Sequence, residues 1–158
     1  MKCTLLTIGK TAEEYLKRGI SVYEKRLKRY NICYNSRFIT EKKRQKTNKP
    51  EHIKLEEGKI LLQNINTGDF VILLDERGKE FSSVKFAEHL RKKMIEGKKN
   101  VVFVIGGAFG FSEAMYQRAN QKIALSKMTF SHQLVRLVFV EQLYRALTII
   151  HNEPYHHQ

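Results

Sequence analysis

Two runs without a polar residue, Phe70–Leu74 (FVILL) and Val101–Ile105 (VVFVI), constrain this chain more than any other feature. A strand that is apolar at every position must be covered on both faces, which is the habit of parallel sheets flanked by helices. Stretches with helical spacing lie before, between and after these runs. The alternation predicts an α/β fold, a mostly parallel sheet with helices on both faces.

The remaining elements follow from local signals. Residues 3–8 (CTLLTI) read as a short buried strand ending at Gly9. Thr11-x-x-Glu14 has the form of a capping box, and Leu16, Ile20, Tyr23, Leu27 and Tyr30 recur at helical spacing after it, predicting a helix to about Tyr30. A strand is expected around 31–39. The segment 41–54 has no apolar period and six basic residues, so its first half reads as a loop, with a helix beginning near Pro50. Residues 75–79 (DERGK) read as a polar turn, and Ser82 as the N-cap of a helix to about Gly97. A helix from Ser112 to about Asn120, a strand Lys122–Leu125 and a long apolar helix over about His132–Ile150 complete the pattern. There is no internal repeat and no Gly/Ser linker, so residues 1–158 are expected to form one domain.

A chain of 158 residues buries a core without staples. Its two cysteines, Cys3 and Cys33, have no C-x-x-C spacing and indicate neither a disulfide framework nor a zinc site. No run approaches the roughly 18 apolar residues of a membrane span, and the N-terminus lacks a signal-peptide pattern, so a soluble cytoplasmic protein is expected. Charge is more telling. There are 29 Lys+Arg against 16 Asp+Glu, a net +13. Residues 1–60 carry 16 of the basic and 7 of the acidic side chains, so the positive field is concentrated there. A basic surface suits a polyanion, most often nucleic acid, although solubility alone also accounts for it.

Three segments could carry chemistry. The turn Gly106-Gly107-Ala108-Phe109-Gly110 follows an apolar strand and precedes a helix, where ligands of open α/β sheets bind. Its spacing is not the dinucleotide fingerprint and no Walker lysine follows, so neither NAD nor a nucleoside triphosphate is signalled. A purely structural turn fits it equally well. The loop Leu125 to Ser131 leads from a strand to His132, which taken alone reads either as a packed helix-start residue or as a general base. The last helix has little polar face, which points to burial nearly all round and to a second protomer against one side. On it Glu141 and Arg145 have ion-pair spacing, and Arg136 lies on a different face.

These words occur together and in order: Ile8-Gly9-Lys10, Tyr23-Glu24-Lys25-Arg26, Leu74-Asp75-x-x-Gly78-Lys79, Val104-Ile105-Gly106-Gly107-x-x-Gly110, Leu125-Ser126-Lys127-Met128-Thr129-Phe130, His132-Gln133-x-x-Arg136, Glu141-Gln142-x-Tyr144-Arg145-Ala146 and Pro154-Tyr155-His156. Over its whole length the chain resembles the SPOUT class of S-adenosylmethionine-dependent RNA methyltransferases. Within that class it is most similar to the ribosomal large-subunit methyltransferase H family, which methylates N3 of a pseudouridine in large-subunit (23S) ribosomal RNA. The resemblance implies a C-terminal trefoil knot, of which periodicity carries no sign. It also implies a homodimer built around the last helix.

The same resemblance implies that Leu74, Gly106, Leu125, Ser126, Lys127, Met128, Thr129 and Phe130 hold S-adenosylmethionine, chiefly through main-chain groups, with no metal. His132 is the preferred base for the imide proton, with His156 as the rival, and Arg136, Arg145 and Tyr155 are expected near the target base. The expected RNA contacts are Lys10, Arg18, Lys25, Arg26, Lys28 and Arg29, with Lys42, Lys43 and Arg44 in the loop and Arg145 in the last helix. So small a protein has little surface for reading sequence, so the substrate is expected to be ribosomal RNA in assembled ribosomes, with no DNA or membrane partner. The competing reading is a non-catalytic ribosome assembly factor on the same fold. Two departures from the family pattern stand out. Ser131 replaces a usual proline, which would loosen the chain before His132. Ala108-Phe109 is bulkier than expected; Phe109 suits either stacking on a base or simple packing.

Overall fold

The computed structural model describes residues 1–40 and 49–156. Five strands, β1 (Lys2–Ile8), β2 (Cys33–Ile39), β3 (Phe70–Glu80), β4 (Asn100–Ile105) and β5 (Gln121–Ala124), alternate with α1 (Glu14–Leu27), α2 (Pro50–Gln63), α3 (Ser83–Ile95) and α4 (Glu113–Arg118), and α5 (Leu134–Ile150) closes the chain. The strands form one sheet in the order β2-β1-β4-β3-β5, with every pairing parallel.

The apolar runs find the environment their composition demands. Successive residues of a strand point to opposite faces. In β4, Val101, Phe103 and Ile105 join the core formed with Leu27 of α1, Phe86 and Leu90 of α3, and Phe139, Leu143 and Leu147 of α5. Val102 and Val104 join the opposite core with Leu61 of α2, Phe111, and Met115 of α4. Phe103 is enclosed between Phe86 and Phe139, with ring centroids 6.3 and 4.7 Å away. Truncating such a ring to alanine costs about 3–5 kcal/mol. Among the described residues no helix is long and apolar enough to cross a membrane.

Ser82 and Ser112 cap α3 and α4, accepting from the backbone N–H groups of Lys85 and Met115. Other local expectations need correction. The Thr11–Glu14 capping box does not form: α1 begins at Glu14, its N-cap residue Glu13 makes no side-chain capping bond, and the Thr11 hydroxyl accepts from Arg136 instead, at 3.2 Å. The helix stops at Leu27, because the N–H groups of Arg29 and Tyr30 turn back to the carbonyls of Arg26 and Leu27. Residues 75–78 are a turn inserted within a strand. Leu74 and Lys79 both pair with Ile123, so the chain leaves the ladder and rejoins it at the same partner. Gly78 makes the return possible, since a Cβ there would lie 2.5 Å from the backbone nitrogen of Ile123. The candidates Lys42, Lys43 and Arg44 lie outside the described residues.

Candidate active site

The strands β3, β4 and β5 end on one side of the sheet, and the segments that follow them enclose a cavity of about 360 Å³. Leu74, Gly106, Leu125, Ser126, Met128, Thr129 and Phe130 all line it, and so does His132. Three segments far apart in sequence are thus brought to one place by parallel pairing. Lys127 is not among the lining residues. Its ammonium lies 3.7 Å from the carboxylate of Glu80, and its side chain is well exposed. The loop is shaped by its own hydroxyls. Ser126 Oγ accepts from the N–H of Met128 at 2.9 Å, and Thr129 donates to the Glu76 carboxylate at 2.6 Å.

The inserted turn of β3 supplies a wall that the sequence did not reveal. Asp75, Glu76 and Arg77 line the cavity. The Tyr116 hydroxyl donates to Asp75 Oδ2 at 2.5 Å, the N–H of Arg77 donates to Oδ1 at 2.8 Å, and Arg77 Nη2 donates to the Tyr116 oxygen at 2.5 Å. Burial by itself would raise the Asp75 pKa, but these bonds outweigh it and hold the carboxyl below its ordinary value. Burial first, then the bond to Asp75, pushes Tyr116 up to about 12. One wall is therefore a fixed anionic group, and the glycine turn and the loop after β5 form the others. The only available signal was Asp75 beside Leu74 in the matching word, with nothing to single out Tyr116.

His132 precedes α5, and its carbonyl accepts from Arg136 Nε at 3.0 Å. Ser131 does not leave this junction loose. Its hydroxyl accepts from the N–H of Leu134 at 3.1 Å and its carbonyl from the N–H of Val135 at 3.0 Å. These two bonds restrain the chain just ahead of α5.

Arg136, expected near the target base, is 3% exposed. Its guanidinium donates to the carbonyls of Ile8 (2.7 Å) and Gly9 (3.0 Å) and to Thr11. It ties the end of β1 to the start of α5, so its place is that of a positioning residue. Arg145 holds Glu141 Oε1 through Nε and Nη2 at 3.0 and 2.6 Å, lies over the Tyr155 ring and stands 3.4 Å from His156 Nδ1. Tyr155 donates to the same carboxylate oxygen at 3.2 Å. Burial, then Tyr23 and Glu141, raises its pKa. Neither Tyr155 nor His156 lines the cavity of its own chain. Arg145 is eleven residues beyond Leu134, the first residue of α5 after His132, about 17 Å of helix.

The expected RNA contacts divide in the same way. Lys10, Arg18 and Lys25 stand exposed, Lys10 over the ring of Phe38. Arg26 packs over the rings of Tyr23 and Tyr144. Arg29 pairs with Glu153, which also accepts from the Tyr30 hydroxyl at 2.8 Å. Arg29 and Arg145 thus hold the C-terminal tail onto α1 and α5, while Arg26 lies across rings of those two helices. Sequence reading missed this clamp, because Glu153 is a lone carboxylate in a polar tail.

An open parallel sheet with a glycine turn beside a pocket at its strand ends is the arrangement in which α/β proteins bind small molecules. The chain belongs to the SPOUT methyltransferases: the family described as "Predicted SPOUT methyltransferase" matches residues 1–156. Over all 158 residues, covering 100% of both chains, it is 49% identical to a protein of Parabacteroides distasonis. It is likewise 50% identical to one of Christiangramia forsetii and 51% to one of Flavobacterium johnsoniae. Each of these relatives is named "Ribosomal RNA large subunit methyltransferase H".

Proposed function

We propose that this chain transfers the methyl group of S-adenosylmethionine to N3 of a pseudouridine in large-subunit ribosomal RNA, within assembled ribosomes. One observation carries the reading: the glycine turn, the end of β3 and the loop Leu125–Phe130 line one cavity with His132 at its edge. Relatives of equal length named for ribosomal RNA methylation support it.

The residues present fit the cofactor. A cavity bounded by a glycine turn, a strand end and a loop suits an adenine edge and a ribose, and the Asp75 and Glu76 carboxylates suit a positively charged ligand. When bound, S-adenosylmethionine supplies an electrophilic methyl group on a cationic sulfur. The protein's tasks are alignment and proton removal. Leu74, Gly106, Leu125, Ser126, Met128, Thr129 and Phe130 would hold and orient the donor. The His132 imidazole takes the N3 proton of the base, leaving the nitrogen lone pair to attack. Arg136 holds His132 in place through its carbonyl. Exposed Lys10, Arg18 and Lys25 meet RNA phosphates.

In this reading two copies pair along α5, bringing the partner subunit's Tyr155 and the partner subunit's His156 to the cavity. The separation of the tail cluster from His132 within one chain supports such a pairing. A trefoil-knotted path of the chain after β4 belongs to the same reading. The decisive measurement is mass spectrometry of large-subunit RNA from cells with and without the gene. The expected result is loss of one methyl group from one pseudouridine. Absence of S-adenosylmethionine uptake in calorimetry, even with ribosomes present, overturns the proposal. For the base, His132→Ala is assayed on ribosomes; near-normal turnover across pH with intact cofactor binding removes His132 from that role.

A further inference from the structure

We propose that Phe109 is the platform on which the target base stacks when it enters the site. This rests on the RNA-methylating reading above and adds to it the residue that receives the base.

The glycine turn displays this ring by construction. β4 ends at Ile105, and the N–H of Gly110 donates to the carbonyl of Gly107 at 3.2 Å, so the two glycines face each other as an isolated antiparallel bridge. Gly110 sits at φ +80°, a left-handed conformation that closes the turn. Ala108 and Phe109 are left at its tip. Two residues on, Phe111 is 5% exposed and packs edge-on against Tyr116 at 6.0 Å. Phe109 is 44% exposed. The same short segment buries one aromatic ring and presents the other.

A single exposed apolar side chain is ordinary on a protein surface. Here its location is what matters. Phe109 lines the cavity that also holds His132 and the loop 125–130. Among the described residues no ring or cation stacks on it. The proposed acceptor nitrogen, N3, lies on the pairing edge of its base and is out of reach while that base is paired. Enzymes that modify such atoms take the base out of its stack and hold it between aromatic or apolar side chains. RNA bases that leave a helix are commonly received on aromatic side chains. A rigid turn carrying an unstacked ring beside the cofactor pocket provides that surface.

The test compares Phe109→Ala, Phe109→Leu and Phe109→Trp with the wild-type protein on ribosomes from cells lacking the gene. Methyl transfer, S-adenosylmethionine affinity and solution mass are measured for each. The expected result is a fall in kcat/KM of about 5- to 150-fold for Phe109→Ala, the equivalent of ~1–3 kcal/mol for one stacked base. Phe109→Leu, apolar but without a π face, stays low, and Phe109→Trp restores activity. Cofactor affinity and mass stay at wild-type values. Wild-type turnover by Phe109→Ala overturns the proposal, as does rescue by leucine equal to that by tryptophan. A parallel loss of cofactor affinity makes Phe109 a cofactor wall, and a changed mass makes it a subunit contact; either result overturns it too. A wild-type protein that methylates no ribosomal RNA instead removes the functional reading, and this inference with it.

Discussion

Tyr116 and Asp75, 41 residues apart, are joined by a 2.5 Å hydrogen bond that fixes the turn inserted in β3 against the helix after the glycine turn. The bond links one cavity-lining segment to the helix that follows another. Removing the hydroxyl with Tyr116→Phe takes a donor from a nearly buried carboxylate, at a cost of about 1–3 kcal/mol. The pH dependence follows from the lowered Asp75 pKa. A carboxyl depressed on folding contributes stability above its unfolded pKa and loses it as pH falls through the folded value. Urea unfolding at a series of pH values should therefore show a gap between wild type and Tyr116→Phe that is widest near neutrality and narrows in acid.

Thr129 and Glu76 tie the loop after β5 to the same inserted turn on the exposed rim of the cavity. Thr129→Val keeps the shape and deletes the donor. Loss of one such bond, about 1 kcal/mol, is expected to weaken S-adenosylmethionine binding roughly fivefold with little change in Tm. Calorimetry and thermal unfolding of the same preparation separate the two effects.

Gly78→Ala places a Cβ 2.5 Å from the Ile123 nitrogen, well inside van der Waals contact, and the obstacle is backbone. Because neither strand can yield without breaking the ladder, the variant should lose about 2–4 kcal/mol. A denaturant midpoint equal to wild type would show that the inserted turn relaxes freely.

Ser131→Ala removes the hydroxyl that accepts from Leu134. The cost expected for losing this hydrogen bond is about 1 kcal/mol. If the bond also restrains His132, methyl transfer falls further than stability does, while cofactor affinity is unchanged. The comparison needs kcat, affinity and unfolding midpoint measured together.

The apolar runs at 70–74 and 101–105 determined the layer architecture from sequence. No other environment satisfies five consecutive apolar side chains that alternate between two faces. The parallel order of segments then placed the strand ends, and so the cavity, near the glycine turn and the loop 125–130. Positions with several possible partners were not legible. Thr11 had the form of a cap and became a ligand of Arg136, because a buried guanidinium outcompetes a helix terminus that water can satisfy. Arg29 read as a phosphate contact from its charge, but the carboxylate it meets, Glu153, is brought to it by the tail, whereas the pairing of Arg145 with Glu141, one turn of α5 away, was legible from its spacing.

Backbone propensity and hydrophobic period act over a few residues, and sequence alone accordingly determined the strands, the helices, the glycine turn and the basic N-terminal surface. Long-range pairing decided the rest. Only the folded chain sets Asp75 against Tyr116, seals Arg136 among the carbonyls of β1 and leaves Phe109 bare while covering Phe111. Each of these depends on distances between residues far apart in the chain, and no local signal encodes such distances.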